Sequence, residues 1–377
     1  MRMRWVGAAG IIVLLIMSIV GLPETQAATQ NIVILVSDNE ADLTLAQKIS
    51  DVLNATVVVT KWGVYNDTIT AEISELNPDL VIIIGGPLAV VSLYEEELQA
   101  LGINVTRVGG RDRVETSEKA VELILQMYPE LAENLTLALA YGWDYAAMMQ
   151  IRNQSGVIPL LVKNDTLNMT IASKFRNVEI VRSRFSEKVM ERVREKVGNV
   201  SREIFVNITA ERAEDVIKVA EERIELAKQL VENATIPSAE KLIEEAEKKL
   251  EMAKLAYKEG KYGEAFGLAV AAKNIAEVVI ARAGEEFEKK ISANYSLKLE
   301  LKIRVLEKIM LRLKARGIDV STELQLLEQA KQALNAGNVQ IAKNLIEEIE
   351  KGLKVKLKEE RESRIKKPEK PGRGERP

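Results

Sequence analysis

Two residue types are missing from this chain of 377 residues, cysteine and histidine. Without cysteine the protein has no disulfide, no thiolate nucleophile and no thiolate-bound zinc or iron–sulfur cluster. Without histidine it has no Ser-His-Asp triad and no imidazole-bound metal. Any chemistry must come from Asp, Glu, Lys, Arg, Ser, Thr or Tyr side chains, and we predict no cofactor and no metal.

The chain also lacks a net positive charge and contains few aromatic residues. The formal net charge is −3 and aromatic residues make up 4 % of the chain. This balance argues against a globally basic nucleic-acid-binding protein. Apolar residues make up 47 %, enough for more than one buried core, and the 29 % of charged residues is typical of thermophile proteins.

The N-terminal segment has the pattern of an export signal. Arg2 and Arg4 precede an uncharged apolar run at residues 5–22, and small residues stand at the −3 and −1 positions before Ala28. We predict a signal peptide over residues 1–27. Because the run is 18 residues long, the alternative is a retained N-terminal anchor. Both place the rest of the chain outside the cytoplasm, in an extracellular, cell-surface location.

Sequons for N-glycosylation, Asn-X-Ser/Thr without a central proline, occur eleven times. They begin at Asn54, Asn66, Asn104, Asn134, Asn153, Asn164, Asn168, Asn199, Asn207, Asn233 and Asn294. We interpret them as candidate glycosylation sites of a protein exposed to a glycosylating compartment. The alternative is that Asn and Thr are simply common in this composition.

The first half of the mature chain, residues 28–204, alternates apolar strand-like runs with amphipathic helical segments. This alternation predicts an α/β fold with a doubly wound, mainly parallel sheet covered on both faces. The half also repeats itself: TVVVTK at residues 56–61 has a counterpart in IPLLVK at residues 158–163. We interpret it as two copies of one α/β unit, the second degenerate.

One string in the first copy has a specific pattern. It runs IIGGP at residues 83–87, EEL at residues 96–98 and RVGGRDRVET at residues 107–116. It resembles the cell-wall-binding repeat, type 2, in which a strand ending in Gly-Gly-Pro and a helix precede Arg-x-x-Gly-x-Asp-Arg-Tyr-x-Thr. Val114 replaces the usual aromatic residue. The resemblance covers about 170 residues and implies an α/β domain that binds envelope polymer.

The chain departs from that family in repeat number. Family members that anchor to bacterial walls typically carry three repeats, which assemble around an anionic wall polymer. Here there are two, and the second has lost both Gly-Gly and the Arg-x-x-Gly-x-Asp-Arg string. A complete three-repeat platform would require self-association, or the domain has another role.

The first copy offers a candidate anion site at the ends of its strands. Glycine turns let backbone N–H groups approach a ligand, and ligands of open parallel sheets bind outside the carboxyl ends of strands. Arginine side chains there suit phosphate or carboxylate groups. The candidate residues are Gly85, Gly86, Arg107, Gly110, Arg111, Arg113 and Thr116. The alternative is that the glycines only form tight turns, with Arg113 paired to Asp112 and Thr116 as a helix N-cap.

Carboxylates follow the first predicted strand at Asp38, Glu40 and Asp42. Oxygen ligands at this position suit a hard cation, with a helix cap as the alternative for Asp38. We keep Asp42 as an acidic candidate for ligand binding.

A second acidic candidate, Asp144, stands between Trp143 and Tyr145. Two aromatic residues at a strand end suit stacking on a sugar, and the alternative is packing in the core. Asp144 completes the set of ligand-binding candidates, and none of them is predicted to be catalytic.

The second half, residues 205–358, is rich in Ala, Glu, Lys, Leu and Ile, with apolar positions three and four apart. It predicts antiparallel helical hairpins in a bundle or coiled-coil-like domain. Charges are mixed, with 24 Lys and Arg against 27 Asp and Glu over residues 201–350, as on a salt-bridged solvent face. We interpret this half as a spacer or association domain, followed at residues 359–377 by a flexible basic tail.

These observations predict an exported, non-enzymatic cell-surface protein. Its α/β half would bind envelope glycan or another anionic surface polymer, or surface-layer protein, and its helical half would project or form homo-oligomers. The N-terminal segment and the basic tail are candidate membrane contacts, and no nucleic acid is expected. The alternative is an exported enzyme or solute-binding protein with a carboxylate site at the strand ends.

Overall fold

A computed structural model describes residues 30–164, 166–232 and 236–366, so the predicted signal segment lies outside the described residues. The first half forms eight strands in that described part, seven of them from apolar runs and the last from a mixed segment. They are β1 (Ile32–Ser37), β2 (Thr56–Thr60), β3 (Leu80–Ile84), β4 (Asn104–Val108), β5 (Thr136–Tyr141), β6 (Val157–Val162), β7 (Asn177–Ser183) and β8 (Arg202–Val206). The apolar runs predict seven strands, at residues 31–36, 56–60, 79–84, 104–108, 135–140, 157–162 and 178–181; all seven are confirmed, and β8 is an addition that the sequence interpretation missed.

Helices alternate with these strands and then continue alone. In the α/β half they are α1 (Glu40–Leu53), α2 (Asp67–Leu76), α3 (Ser92–Ala100), α4 (Arg113–Met127), α5 (Leu131–Asn134), α6 (Tyr145–Arg152), α7 (Met169–Ala172) and α8 (Glu187–Lys196). In the helical half they are α9 (Ala210–Glu232), α10 (Ala239–Lys258), α11 (Tyr262–Ala293), α12 (Tyr295–Ala315), α13 (Ser321–Asn335) and α14 (Val339–Lys366).

The predicted duplication appears as two sheets with the same topology. Sheet A has the strand order β2-β1-β3-β4 and sheet B the order β6-β5-β7-β8, with every pairing parallel. The predicted fold class is confirmed, and each copy of the unit forms its own four-stranded sheet. Pro159 fits because β6 is an edge strand, where one backbone N–H can be lost.

Helices α1 and α4 pack between the two sheets. Ile34 and Ile84 of sheet A share one apolar core with Ile124 of α4 and with Leu139 and Leu160 of sheet B. Both units therefore bury apolar surface on the same pair of helices, and this shared core joins them firmly.

The helical half packs against both sheets. Helices α9–α11 share a core with α6 and one face of sheet B, where Phe266 lies against Tyr145 with ring centroids 6.2 Å apart. Helices α12–α14 share a second core with α2, α3 and the outer face of sheet A. We expected the helical half to project from the α/β half as a spacer. This expectation is wrong for the described residues, because these helices bury their apolar faces on the α/β half.

The predicted tail also begins later than expected. Helix α14 continues through Lys366, and Arg361 donates hydrogen bonds of 3.2 Å to the carbonyl oxygens of Pro78 and Gly102. Residues 359–366 are therefore helical, and this part of α14 contacts the loops that precede β3 and β4. The remainder of the predicted tail, residues 367–377, lies outside the described residues. Among the described residues, no helix is both long and apolar enough to span a membrane.

Candidate functional site

The candidate site lies at the carboxyl edge of sheet A. The connection from β1 goes to β2 on one side, whereas β3 lies on the other side of β1, so the strand order reverses between β1 and β3. Open parallel sheets bind ligands in the crevice at this switch point. The loop after β1 brings Asn39 there, where its Oδ1 accepts the backbone N–H of Ala41 and caps α1. The cap is thus Asn39 and not Asp38.

Two glycine turns meet at this edge. Gly85 has a φ of +122°, a conformation that side chains with a Cβ rarely adopt. A Cβ on Gly109 would lie 2.8 Å from backbone atoms of Gly85 and Gly86. The turns after β3 and β4 therefore need glycine to pack against one another, as the alternative interpretation of tight turns expected.

A cleft of about 400 Å³ opens beside these turns. Six of the nine predicted ligand-binding residues line it: Asp42, Gly86, Gly110, Arg111, Arg113 and Thr116. Gly85 lies directly behind it, since a Cβ there would be 3.4 Å from the Oδ2 of Asp42. Sequence reasoning missed the apolar lining, Trp62 and Leu88 from sheet A loops and Ala281 from α11.

Two carboxyl groups line the cleft: Asp112, which caps α4, and the buried Asp42. Asp42 is only 8 % exposed, and no hydrogen bond or ion pair reaches its carboxyl group from the described residues. Burial raises the pKa of Asp42 to about 7, further raised by Glu40 and Glu277 and opposed by the nearby Arg113. The cleft therefore contains one carboxyl group that titrates near neutral pH and has no protein partner.

Arg111 is the cation at the rim of the cleft. Its side chain is 93 % exposed, and its Nε lies 2.8 Å from the Oε2 of Glu115. Hydrogen bonds from Arg111 and Lys119 lower the pKa of Glu115 to about 2. Arg111 is thus held in place by an ionised carboxylate while most of its guanidinium faces water.

Arg113 has a structural role that differs from both interpretations of the sequence. Its Nη1 lies 3.0 Å from the Oε1 of Glu40 and 2.9 Å from the carbonyl oxygen of Gly142. Its guanidinium also lies 5.2 Å from the centre of the Trp143 ring. Arg113 therefore joins the two α/β units, and its predicted ion pair with Asp112 is wrong because Asp112 caps α4 and contacts Lys163 instead.

Arg107 and Thr116 also support the backbone. Arg107 binds Glu95 through Nε at 2.8 Å and the carbonyl oxygens of Gly85 and Val90 through Nη1 at 3.1 and 2.9 Å. The Thr116 hydroxyl accepts the N–H of Gly110 and donates to the carbonyl of Asp112, both at 3.0 Å. The ligand role predicted for Arg107 is therefore not supported, and the N-cap of α4 is Asp112 and not Thr116.

Asp144 is also a structural residue. It is fully buried; its Oδ1 caps α6 and its Oδ2 accepts hydrogen bonds from the Ser183 N–H and hydroxyl and from the Ser186 hydroxyl, at 2.9, 2.9 and 2.5 Å. A ligand role for Asp144 is wrong, because both oxygens are satisfied within the protein. Tyr145 packs in the core, whereas the half-buried Trp143 packs against Arg113 and Lys163.

The other carboxylates after β1 are neutralised by the helical half. Arg223 of α9 lies 2.9 Å from both carboxylate oxygens of Asp38. Lys273 of α11 lies 3.0 Å from Oε1 of Glu40 and 2.9 Å from Oε1 of Glu277. Burial opposes ionisation of Glu40, but Lys273 and Arg113 outweigh it and hold its pKa well below the usual range. The hard-cation hypothesis for Asp38, Glu40 and Asp42 is therefore wrong, and no acidic cluster in the described part of the chain is placed to hold a metal.

The sequons lie at the surface. Ten of the eleven fall on described residues, and Asn233 lies outside them. Nine of the ten asparagines are exposed, whereas Asn168 is half-buried. The geometry is therefore compatible with the predicted modification at nine positions.

Comparisons with known proteins find similarity over part of the chain. No family model matches it. An uncharacterized protein of Methanocaldococcus jannaschii is 41 % identical over 152 residues, which is 40 % of this chain and 42 % of that protein. Uncharacterized proteins of Pyrococcus abyssi and Pyrococcus horikoshii are 34 % and 33 % identical over 37 % and 32 % of this chain, and 42 % and 35 % of theirs. The matched stretches thus span less than half the length of these curated relatives.

Two solved structures are also similar. Cwp6 from Clostridium difficile matches with a TM-score of 0.37 and 22 % identity over 47 % of this chain and 29 % of that chain. Cwp8 from Clostridium difficile matches with a TM-score of 0.37 and 24 % identity over 46 % and 30 %. This chain is structurally similar to Cwp6 and Cwp8 over about half of its length.

Proposed function

We propose that this is an exported, non-enzymatic cell-surface protein that binds envelope polymer in the cleft at the carboxyl edge of sheet A. The observation that carries the proposal is the convergence of Asp42, Arg111 and the glycine turns on one cleft at the switch point. The resemblance of residues 83–116 to the cell-wall-binding repeat supports the same assignment. Surface-layer protein is the other partner expected in that location.

The lining of the cleft favours a hydroxyl-rich polymer with few negative groups. Trp62 and Leu88 offer apolar surface, while Asp42 and Arg111 offer a hydrogen-bonding carboxyl group and a guanidinium. Residues 28–200 carry a formal net charge of −7, which repels a dense polyanion. A sugar chain with isolated acidic groups, each met by Arg111, fits this combination.

The helical half contributes to this site by shaping it. Arg223 and Lys273 neutralise Asp38 and Glu40, so that Asp42 remains as the unpaired carboxyl group beside the cleft. Ala281 of α11 forms part of the wall. We therefore assign α9–α11 the role of completing the binding site of the α/β half, in place of the spacer role expected from sequence.

A retention assay tests the proposal on the whole mature chain. Arg111→Ala should weaken binding to envelope polysaccharide extracted from the source cells by about tenfold, because one charged hydrogen-bonding group is lost. Arg192→Ala, an exposed arginine of α8 outside the cleft, is the matched control and should bind like the wild type. Equal retention of both variants would show that the cleft does not hold the polymer.

The alternative of an enzyme or solute-binding protein is favoured by one observation. A carboxyl group with a pKa near 7 beside a cleft suits general acid–base chemistry. Asp42→Asn separates the two functions: a polymer-binding protein should keep binding, since the amide still forms hydrogen bonds. Loss of a measurable turnover of envelope sugar in Asp42→Asn, with binding unchanged, would favour the enzyme.

A further inference from the structure

Three of the five phenylalanines of this chain line one groove beside the strand ends of sheet B. Phe185 follows β7, Phe205 lies in β8, and Phe266 lies near the start of α11. They line a groove of about 990 Å³, in which Phe266 forms the buried base and the other two rings are each 47 % exposed. Grouped aromatic rings left open to water mark a place that another group normally covers.

A sequon opens onto the same groove. Asn207 begins the string Asn-Ile-Thr and lines the groove together with Phe205, two residues before it. Residues 205–208 all line the groove where β8 ends, which places Asn207 beside Phe205 there. Among the eleven sequons, Asn207 is the one with an aromatic residue at that position.

The side chain of Asn207 is also free to be modified. It is exposed, and its amide group forms no hydrogen bond within the described residues. By contrast, the Nδ2 atoms of Asn104 and Asn134, which would carry the sugar at those sites, donate to the carbonyl oxygens of Asp79 and Glu130. Modification at Asn207 therefore breaks no contact of the fold.

We propose that Asn207 carries an N-linked glycan whose first sugar packs in this groove against Phe205 and Phe185. One face of a pyranose ring presents C–H groups that pack on an aromatic ring, while its hydroxyls reach polar groups at the rim. Arg184 and Glu264, which also line the groove, supply such groups. The glycan covers the exposed rings, and the inference rests on the exported location proposed above.

The modification is an ordinary glycosyl transfer. The donor is a lipid-linked oligosaccharide phosphate, supplied by the glycosylating compartment. The bond from Asn207 Nδ2 to the anomeric carbon forms, and the bond from that carbon to the phosphate oxygen breaks. The amide proton is transferred to the departing lipid phosphate, so atoms and charge balance.

Site occupancy and thermal stability test the proposal on the full chain, purified from cells that N-glycosylate exported proteins. Mass spectrometry of glycopeptides should find sugar at Asn207. Asn207→Gln should lower the melting temperature by about 2 °C, whereas Asn199→Gln, an exposed sequon without an aromatic residue two positions before it, should leave it unchanged. In a Phe205→Ala background, Asn207→Gln should have no further effect, and Phe185→Ala provides a second such background.

The possible failures differ in meaning. Sugar on other sequons with Asn207 bare would overturn this inference alone and leave the exported location intact. If Asn207 carries sugar but Asn207→Gln lowers the melting temperature equally with the phenylalanines present and with both replaced, the sugar does not pack in the groove. Absence of sugar from every sequon in the source cells would overturn this inference, whereas the exported location, which rests on the N-terminal segment, is overturned only if the protein is found in the cytoplasm with residues 1–27 still attached.

Discussion

Sheets A and B have the same strand order, yet the loops at their switch points have different chemistry. After β1 of sheet A, the acidic residues meet arginine and lysine side chains from α9 and α11, and Asp42 stays unpaired beside a cleft. After β5 of sheet B, Asp144 is enclosed by serine hydroxyls of its own unit, and the groove nearby is aromatic. Topology therefore fixes where a ligand position lies, while the loop residues decide what it can bind.

The difference also separates two ways of burying a carboxylate. At the switch point of sheet A (unit A), the buried Glu40 is balanced by Lys273 from a distant helix, whereas at that of sheet B (unit B) the buried Asp144 accepts hydrogen bonds from neutral donors. The first arrangement links the halves of the molecule, and the second closes a single unit. Each of the following predictions tests one side of this contrast.

The largest effect is expected at Lys273. Lys273→Met leaves Glu40 and Glu277 buried with one cation fewer and should lower the free energy of unfolding by about 3–5 kcal/mol. Lys289→Met, an exposed lysine of the same helix, is the control and should change it by less than about 1 kcal/mol. Equilibrium denaturation measures both. Equal effects would mean that the buried charges do not join the two halves.

The pH dependence of stability is expected to change with Asp42. Its pKa rises from 3.8 to about 7 on folding, so below pH 4 the group is protonated in both states and contributes nothing. As the pH rises from about 4 to about 7 the folded state loses stability, because the carboxyl group ionises in the unfolded state but not yet in the folded one, and the loss is complete above pH 7. Asp42→Asn should therefore gain about 3–4 kcal/mol relative to the wild type between pH 4 and pH 8.

Denaturation midpoints at several pH values measure this gain. Asp215→Asn, an exposed acid of α9, should show a constant difference from the wild type across the same range. A flat difference for Asp42→Asn as well would mean that its carboxyl group is solvated in the folded protein.

In unit B, Asp144→Ala should lower the free energy of unfolding by about 2–3 kcal/mol, because it removes the cap of α6 and leaves buried hydroxyl donors without an acceptor. Asp112→Ala removes the side-chain cap of another helix, α4, where the aspartate is partly exposed, and should cost about 1 kcal/mol. The same denaturation assay compares them. A larger loss of unfolding free energy for Asp112→Ala than for Asp144→Ala would mean that burial of the Asp144 carboxylate adds no stability.

Local patterns predicted most of the fold and the position of the site. Continuous apolar runs marked seven strands, and the string at residues 107–116 marked the loop that lines the cleft. Strand β8 was missed because it lies at the edge of sheet B, with Phe205 exposed and polar residues at its start. Its apolar content is too low to stand out from a loop.

Long-range partners could not be predicted. Glu40 and Lys273 are 233 residues apart in the chain, and nothing in either segment indicates the other. Likewise, the acceptor role of Asp144 depends on Ser183 and Ser186 being brought back by β7. A carboxylate and a strand end can be identified in a sequence, but whether another element neutralises that carboxylate depends on packing.

The smallest effect is expected at the seam between the units, where Lys163 lies 5.7 Å from the centre of the Trp143 ring and 3.2 Å from Asp112. A double-mutant cycle with Lys163→Met and Trp143→Leu should give a coupling of about 0.5 kcal/mol, because the ammonium group is half exposed. The same cycle with Asp112→Asn should lose most of its coupling in high salt, since exposed ion pairs are screened. The buried Arg113 packs against the Trp143 ring and holds it in position whatever the salt concentration. The coupling of Trp143 to Lys163 should therefore persist in high salt. If the coupling vanished in high salt for both cycles, the contact between the two units at Lys163 would depend on exposed charge alone. The buried Arg113 would then add nothing to the interaction of Lys163 with Trp143.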